Sequence, residues 1–402
     1  MIPVLIVLNA GSSSLKFQVF DMVEGTEPRL VWKGLYEGLG NDAHFVVRHA
    51  SGVDLDEKSW TSKDSFGHEE ALMHLVSWLR EHQEGRKPMA LGHRVVHGGE
   101  TFSGPVLVDD TVIQKLEALV PLAPLHQPHN LEPIRIVRRR MPGMPQVACF
   151  DTAFHHSQSE IASMFALPRE MRQRGVRRYG FHGLSYDYIA SVLKDYDPHL
   201  AKGRVIVAHL GNGASLCALK EGASVATTMG FSALDGLPMG TRCGAVDAGV
   251  VFYMLREMKL TPEAAERMLY TKSGLLGVSG ISNDMRMLRA KAATDDNAKR
   301  AIDLFVYRIT REIGSLIAAL GGLDGLIFTA GIGENDVATR AEVIAGLSWA
   351  GLSLDEIANR SSGPRISSGS GPAAWVIPTN EELVIARQTR SILGATQAKL
   401  AS

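Results

Sequence analysis

The sequence predicts an α/β protein made of two duplicated halves, and three observations carry that prediction. Segments with strand character alternate along the chain with segments of helical spacing. A gap-free shift of 201 residues, half the chain, lays Val205–His209 beside Val4–Leu8 and Gly211–Leu216 beside Ala10–Leu15. Glycine supplies 40 of 402 residues, about 10% against a usual 7%, and gathers in a few short polar segments. At roughly 150 residues per domain the length allows two or three domains. The internal match favours two, with a cleft between them.

Ile2 to Leu8 is aliphatic and β-branched, the pattern of a strand buried on both faces. Asn9 to Ser14 is turn chemistry, and Leu15, Phe17 and Val19 alternate with Lys16, Gln18 and Phe20 as a returning antiparallel strand. Helical spacing covers Ala71–Glu81, Thr111–Val120, Ala248–Met258 and Asp303–Leu320, the last with Leu304, Val306, Ile309, Ile313, Leu316 and Ile317 on one face. A strand over Gly325–Ala330 leads into a loop, Gly331–Asn335, while Pro121, Pro124 and Pro128 mark a loop around Leu125 and His126. Ser361 to Gly371 reads as a flexible surface segment.

With 42 Lys and Arg against 43 Asp and Glu, the composition excludes disorder and a broad nucleic-acid surface. Cys149, Cys217 and Cys243 are odd in number and spaced unlike zinc ligands, so a reducing, cytoplasmic setting is expected. No signal peptide or membrane span is expected, because no run of 18 apolar residues occurs and no basic residue precedes the apolar start.

Five segments pair glycine with polar residues at strand ends: Asn9–Lys16, His209–Ser215, Gly240–Gly244, Gly280–Arg286 and Gly331–Asn335. One alone is an ordinary tight turn. Five together point to nucleotide binding, because bare glycine backbone lets N–H groups approach phosphate. Neither G-x-x-x-x-G-K-[ST] nor G-x-G-x-x-G occurs, so a third nucleotide architecture is required. Arginines Arg94 and Arg242 sit among small residues, where a guanidinium fork can grip a carboxylate or phosphoryl group, or else form an ordinary ion pair. Histidines in Gly92–Gly99, Phe150–His156 and Arg178–Gly183 read equally as hydrogen-bonded buried imidazoles.

Asn9–Lys16, Gly92–Gly99, Phe150–His155, Tyr179–Gly183, His209–Gly213, Met239–Gly244 and Gly331–Asn335, in order along the chain, resemble the acetate kinase family. The resemblance implies two duplicated actin-like (ribonuclease H-like) domains, residues 1–152 with 384–402 and residues 153–383, enclosing an interdomain nucleotide cleft. It also implies a cytoplasmic homodimer, without nucleic-acid or membrane partners, that converts ATP and acetate to ADP and acetyl phosphate with Mg²⁺, or alternatively Mn²⁺.

By the same resemblance, Asp151, His182 and Arg242 are catalytic, while Arg94, Val96, Leu125, His126 and Phe181 surround the acetate. Ser12, Ser14 and Lys16 bind phosphate. His209, Leu210, Gly211, Asn212 and Gly213, then Asp284, Met285 and Arg286, then Gly331, Ile332, Gly333, Glu334 and Asn335 contact the adenine nucleotide. Asn9 and Glu381 position Mg²⁺, with Glu382 as an alternative ligand. Acetate is already ionised near neutral pH, so Asp151 is expected not to act as a base but to orient Arg242, metal-bound water or His182. Where the family usually has proline this chain has Ala233, which opens propionate as a substrate. An ATP-driven actin- or chaperone-like binding module and a sugar kinase are the readings from other classes. The paired arginines and the apolar pocket positions weigh against them.

Overall fold

A computed structural model describes residues 1–401, with side chains to Thr396. The chain forms two compact units, Met1–Ala153 with the segment from Asn380 onward, and Phe154–Thr379.

The first unit is built on eight strands: β1 (Ile2–Ala10), β2 (Ser14–Asp21), β3 (Arg29–Glu37), β4 (His44–His49), β5 (Asp54–Ser59), β6 (Arg86–Val95), β7 (Val106–Leu107) and β8 (Gln146–Phe150). They lie in the order β5-β4-β3-β2-β1-β6-β8-β7. The second unit carries β9 (Arg204–Leu210), β10 (Ala214–Lys220), β11 (Ala223–Thr227), β12 (Gly325–Thr329) and β13 (Ala373–Val376), ordered β11-β10-β9-β12-β13. The two sheets share one plan. In each, a first strand (β1, β9) pairs antiparallel with a second (β2, β10), which a third (β3, β11) joins antiparallel; on its other side the first strand pairs parallel with β6 or β12, and β8 or β13 lies parallel outside that. Topology therefore displays the duplication glimpsed in the 201-residue offset: β1 and β9, the matched segments, hold the same central place.

Val4 to Leu8 are all buried, as a strand covered on both faces requires. Its hairpin with β2 closes through the pairs Asn9↔Lys16 and Ala10↔Leu15, and the Gly11 N–H donates to the Ser14 carbonyl at 2.9 Å. Leu15, Phe17 and Val19 project into a core with Tyr36, Phe45 and Trp78, against helix His68–Glu81. In the second unit Val205 and Val207 pack with Tyr186, Ile189 and Leu193 of helix Gly183–Tyr196.

Several boundaries depart from the sequence reading. The long helix runs Asp296–Leu320, seven residues longer than its apolar spacing indicates, because the Asp295 carboxylate caps it by accepting from the Asn297 and Ala298 N–H groups. Its buried stripe is Ala298, Ile302, Phe305, Ile309, Ile313, Leu316 and Leu320, whereas Leu304 faces outward. Gly331–Asn335 is not a loop but part of a short helix, Ala330–Asn335. Ser361–Gly371 is largely exposed, as read, but it is anchored: Ile366 is fully buried and its N–H donates to the Ala374 carbonyl.

His93 and His155 are buried, and burial lowers each imidazole pKa to about 4. An unfolded histidine takes a proton below about 6.5, so folding stability is complete above that pH and falls as pH drops toward 4. The loss approaches about 3 kcal/mol per histidine. Urea unfolding at pH 7 and pH 5 should show the drop, and His155→Gln should narrow the difference between the two pH values. An unchanged difference would contradict the assignment.

Candidate active site

In the first unit the site grows from adjacent strand ends. β6 and β8 run parallel with Arg94 opposite Cys149, so the residue that follows β8, Asp151, comes beside Arg94. The Arg94 Nη2 donates to Asp151 Oδ2 at 2.7 Å, and Nε donates to both carboxylate oxygens at 3.1 and 3.2 Å. Glu381 Oε2 lies 3.6 Å from Arg94 Nη1. Burial by itself lowers the Arg94 pKa, but the charges of Asp151 and Glu381 outweigh it and hold the guanidinium firmly protonated. Glu382 stands in the same electrostatic neighbourhood; burial, and then the charge of Glu381, raise its carboxyl above the ordinary range.

Arg94 is thus a group that Asp151 grips, a partner for Asp151 that the sequence reading did not name. A sequence separation of 57 conceals a strand-to-strand neighbour relation. Val96 is buried and its N–H donates to Asn130 Oδ1 at 2.9 Å, while Asn130 Nδ2 donates to the Ala10 carbonyl at 2.8 Å. Asn130, which the sequence reading missed, therefore ties the segment after Arg94 to the turn after Asn9. Its only sequence signal is an amide inside the otherwise apolar stripe of helix Gln127–Arg140. Ser12 and Lys16 are exposed at that turn, and Ser14 is half-buried. Leu125 is 45% exposed, so within its own unit it does not line a closed apolar pocket. His126, half-buried, precedes helix Gln127–Arg140 and its carbonyl accepts from the Asn130 N–H.

In the second unit Phe181 is buried, and His182 adopts φ +57°, at the entrance to helix Gly183–Tyr196. Its ring stacks on His209 with centroids 4.2 Å apart. His182 Nδ1 hydrogen-bonds with Ser215 Oγ at 2.8 Å, and Ser215 in turn with the Tyr186 hydroxyl. His209 Nδ1 hydrogen-bonds with Ser185 Oγ, which donates to Thr379 Oγ1. Each imidazole is held at one nitrogen, which fixes its orientation.

Asn212 joins three chain segments. The Gly240 N–H donates to its carbonyl at 3.0 Å, and Asn283 Nδ2 donates to its Oδ1 at 3.4 Å. The following loop presents Arg242, whose Nη1 donates to the Ala233 carbonyl at 2.9 Å. Gly211, Asn212, Asp284, Met285, Arg286, Gly331, Ile332 and Asn335 line one cavity of ≈640 Å³, together with Asn283, from the Gly280–Arg286 segment, and Arg289 and Asp336, which the sequence reading missed. Asp284 caps helix Met285–Lys291 and is held ionised by Arg286, the largest cause of its lowered pKa. The other expected nucleotide contacts lie outside that lining. His209 and Gly213 stand against His182, while Leu210 and Gly333 are buried. The Glu334 carboxylate accepts from the Ala330 and Thr379 N–H groups, bracing the helix that carries Gly331. Arg340, fully buried, donates to the carbonyls of Gly333, Glu334 and Asn359 and so fixes the same helix from behind.

Two α/β units of one plan, one with a guanidinium–carboxylate pair at its strand ends and one with a polar glycine-lined cavity, are the parts of a phosphotransferase. The chain's relatives fix the kind. Residues 4–387 match the family described as the acetokinase family. The acetate kinase of Rhodopseudomonas palustris (strain ATCC BAA-98 / CGA009) is 52% identical over 392 residues, 96% of this chain and 98% of that protein. The acetate kinase of Clostridium botulinum (strain Loch Maree / Type A3) is 42% identical over 399 residues, 96% and 99% of the two chains. Among solved structures, Porphyromonas gingivalis acetate kinase superposes with a TM-score of 0.86 at 36% identity, covering 97% of this chain and all of the other. A propionate kinase from Francisella tularensis gives 0.91 at 36% identity, with the same coverage. The chain belongs to the acetokinase family, and with it to the phosphotransferases that use a carboxyl group as acceptor.

A Cβ on Gly240 would stand 2.1 Å from Asn212 Oδ1, closer than any real contact. Gly240→Ala must therefore displace Asn212 at the wall of the cavity. Affinity for an adenine nucleotide, measured by calorimetry, should fall by about tenfold or more. Unchanged affinity would show that the cavity is not where the nucleotide binds.

Proposed function

We propose that the protein transfers the γ-phosphoryl group of ATP to acetate, reversibly and in one in-line step, giving acetyl phosphate and ADP. The observation that carries this reading is Arg94, a guanidinium locked by Asp151 with the apolar Val96 two residues on. That arrangement suits a small carboxylate with a methyl tail. Arg94 holds the acetate carboxylate and offsets its repulsion from the incoming phosphoryl group. His182 and Arg242 donate to the phosphoryl oxygens, whose charge spreads in a loose transition state. A carboxylate oxygen attacks phosphorus as the bond to the β-phosphate oxygen breaks, and no proton needs removing. ATP occupies the ≈640 Å³ cavity, with its phosphates toward Gly211 and Gly331.

Among the described residues no group of three His, Cys, Asp or Glu side chains is placed to hold a metal ion. Mg²⁺ needs only one or two protein oxygens beside substrate phosphates and water. Glu381 and Asn9 would hold it, with Glu382 the alternative ligand. The ion, for which Mn²⁺ is an alternative, would offset phosphate charge. We place the protein in the cytoplasm, in keeping with its three free cysteines; no helix among the described residues is long and apolar enough to cross a membrane. The two units, Met1–Ala153 with the segment from Asn380 onward and Phe154–Thr379, divide the work between acceptor and nucleotide. A homodimer is expected through helix Ala248–Arg256, which has no buried residue and exposes Val250, Phe252 and Tyr253 in the single chain.

Propionate is kept as a second acceptor because Ala233, which its carbonyl hydrogen bond places beside Arg242, lacks the ring of the proline expected there.

Trapping acyl phosphate with hydroxylamine in the presence of ATP and Mg²⁺ tests the reaction. Acetate should give product, and Arg242→Ala should lower the rate about a hundredfold or more. ATP hydrolysis without trapped acyl phosphate would overturn it. Ala233→Pro should lower the propionate-to-acetate ratio of kcat/KM by up to about tenfold; an unchanged ratio would remove Ala233 from the acceptor site. In light scattering, Phe252→Glu with Tyr253→Glu should convert a dimer to a monomer, and an unaltered dimer would place the interface elsewhere.

A further inference from the structure

The first unit contains a second cavity, ≈270 Å³, that the reaction leaves unused. Its walls are aliphatic: Ile6 and Leu8 of β1, Leu91 of β6, Leu72, Leu75, Val76 and Leu79 of helix His68–Glu81, and the two methionines Met141 and Met144. Side chains alternate along a strand, so Ile6 and Leu8 lie on the face opposite Asn9, and Leu91 on the face opposite Arg94. Helix Glu381–Ala401 covers the Arg94 face, where a Cβ on Gly92 would strike Thr389 and Ile385. Helix His68–Glu81 covers the other. The cavity and the Arg94–Asp151 pair are thus separated by the thickness of the sheet.

Arg80, Gln83, Arg86, Lys87 and Pro88 complete the lining. Arg86 is spoken for: Nε donates to Asp21 at 2.8 Å, Nη1 donates to Glu84 at 2.7 Å, and the guanidinium lies over the Trp32 ring. Those contacts also occupy the two carboxylates paired at this rim. The side chains of Arg80 and Lys87, both exposed, enter no ion pair or side-chain hydrogen bond among the described residues. An apolar chamber with two uncommitted cations at its edge is complementary to an amphiphilic anion.

We propose that this cavity binds a medium-chain monocarboxylate, its alkyl chain among the leucines and methionines and its carboxylate at Arg80 and Lys87. The volume lies just below the roughly 300–1,000 Å³ of drug-sized sites, so the fitting chain has about six to eight carbons. The paired methionines suit a flexible tail, because unbranched thioethers repack around irregular shapes. Leu8 directly precedes Asn9, and Leu91 lies three residues before Arg94, so an occupied cavity braces the two strands that carry the acceptor site.

The test uses the full-length protein with ¹³C-methyl methionine, saturated with acetate so that the acceptor site is filled. The Met141 and Met144 signals, assigned through Met141→Leu and Met144→Leu, should shift on titration with octanoate. Affinity should rise about fourfold per methylene from butanoate to octanoate. Val76→Trp, placing a ring from a half-buried position into the chamber, should abolish the shifts while acetate turnover persists. Arg80→Gln with Lys87→Gln should weaken octanoate by about tenfold. Unmoved methionine signals, octan-1-ol binding as tightly as octanoate, or shifts that survive Val76→Trp would each overturn the proposal.

Discussion

The grip of Asp151 on Arg94 is the interaction on which the strand-end site of the first unit depends. A guanidinium held among buried strand ends carries a large desolvation cost unless a carboxylate faces it, and removing one partner of such a pair typically costs 3–5 kcal/mol. Here the fork meets both Asp151 oxygens, while Glu381 adds a second negative charge at 3.6 Å. The pair fixes where Arg94 points and leaves Nη1 directed toward Glu381. Asp151 therefore offsets the cost of burying the Arg94 guanidinium without itself having to titrate.

That pair exists because of the sheet order. β6 and β8 are parallel neighbours, so their C-terminal ends bring Arg94 and Asp151 to one edge; β1, on the other side of β6, delivers Asn9 there as well. The second unit repeats the plan with β9, β12 and β13, and the corresponding ends carry Gly211 and the Gly331 helix. One architecture used twice presents a cation in one unit and bare backbone in the other. What differs is the chemistry of a few residues after each strand.

Much of this was legible from sequence because it is local. The β1–β2 hairpin follows from aliphatic residues, turn residues and alternation, and the cavity lining at Gly211, Asn212, Asp284 and Gly331 follows from glycine beside polar groups at strand ends. What escaped depends on distant partners. Nothing near Asp151 in the chain names Arg94, and nothing near Asn130 announces that it bridges Val96 and Ala10. Gly331–Asn335 was read as a loop because its glycines hide a helix whose order comes from Glu334 and the buried Arg340. Leu304 followed the apolar spacing of its helix yet faces outward, since the buried stripe is set by Phe305 and Ile309.

The account rests on Asp151 working through Arg94, and a double-mutant cycle on kcat/KM for acyl phosphate formation measures that directly. Asp151→Asn and Arg94→Gln should each slow the reaction, and together they should cost little more than the worse of the two, with no acidic limb lost from the pH–rate profile of Asp151→Asn. Losses that multiply independently, or a limb that vanishes with the carboxylate, would show that Asp151 acts on the substrate itself.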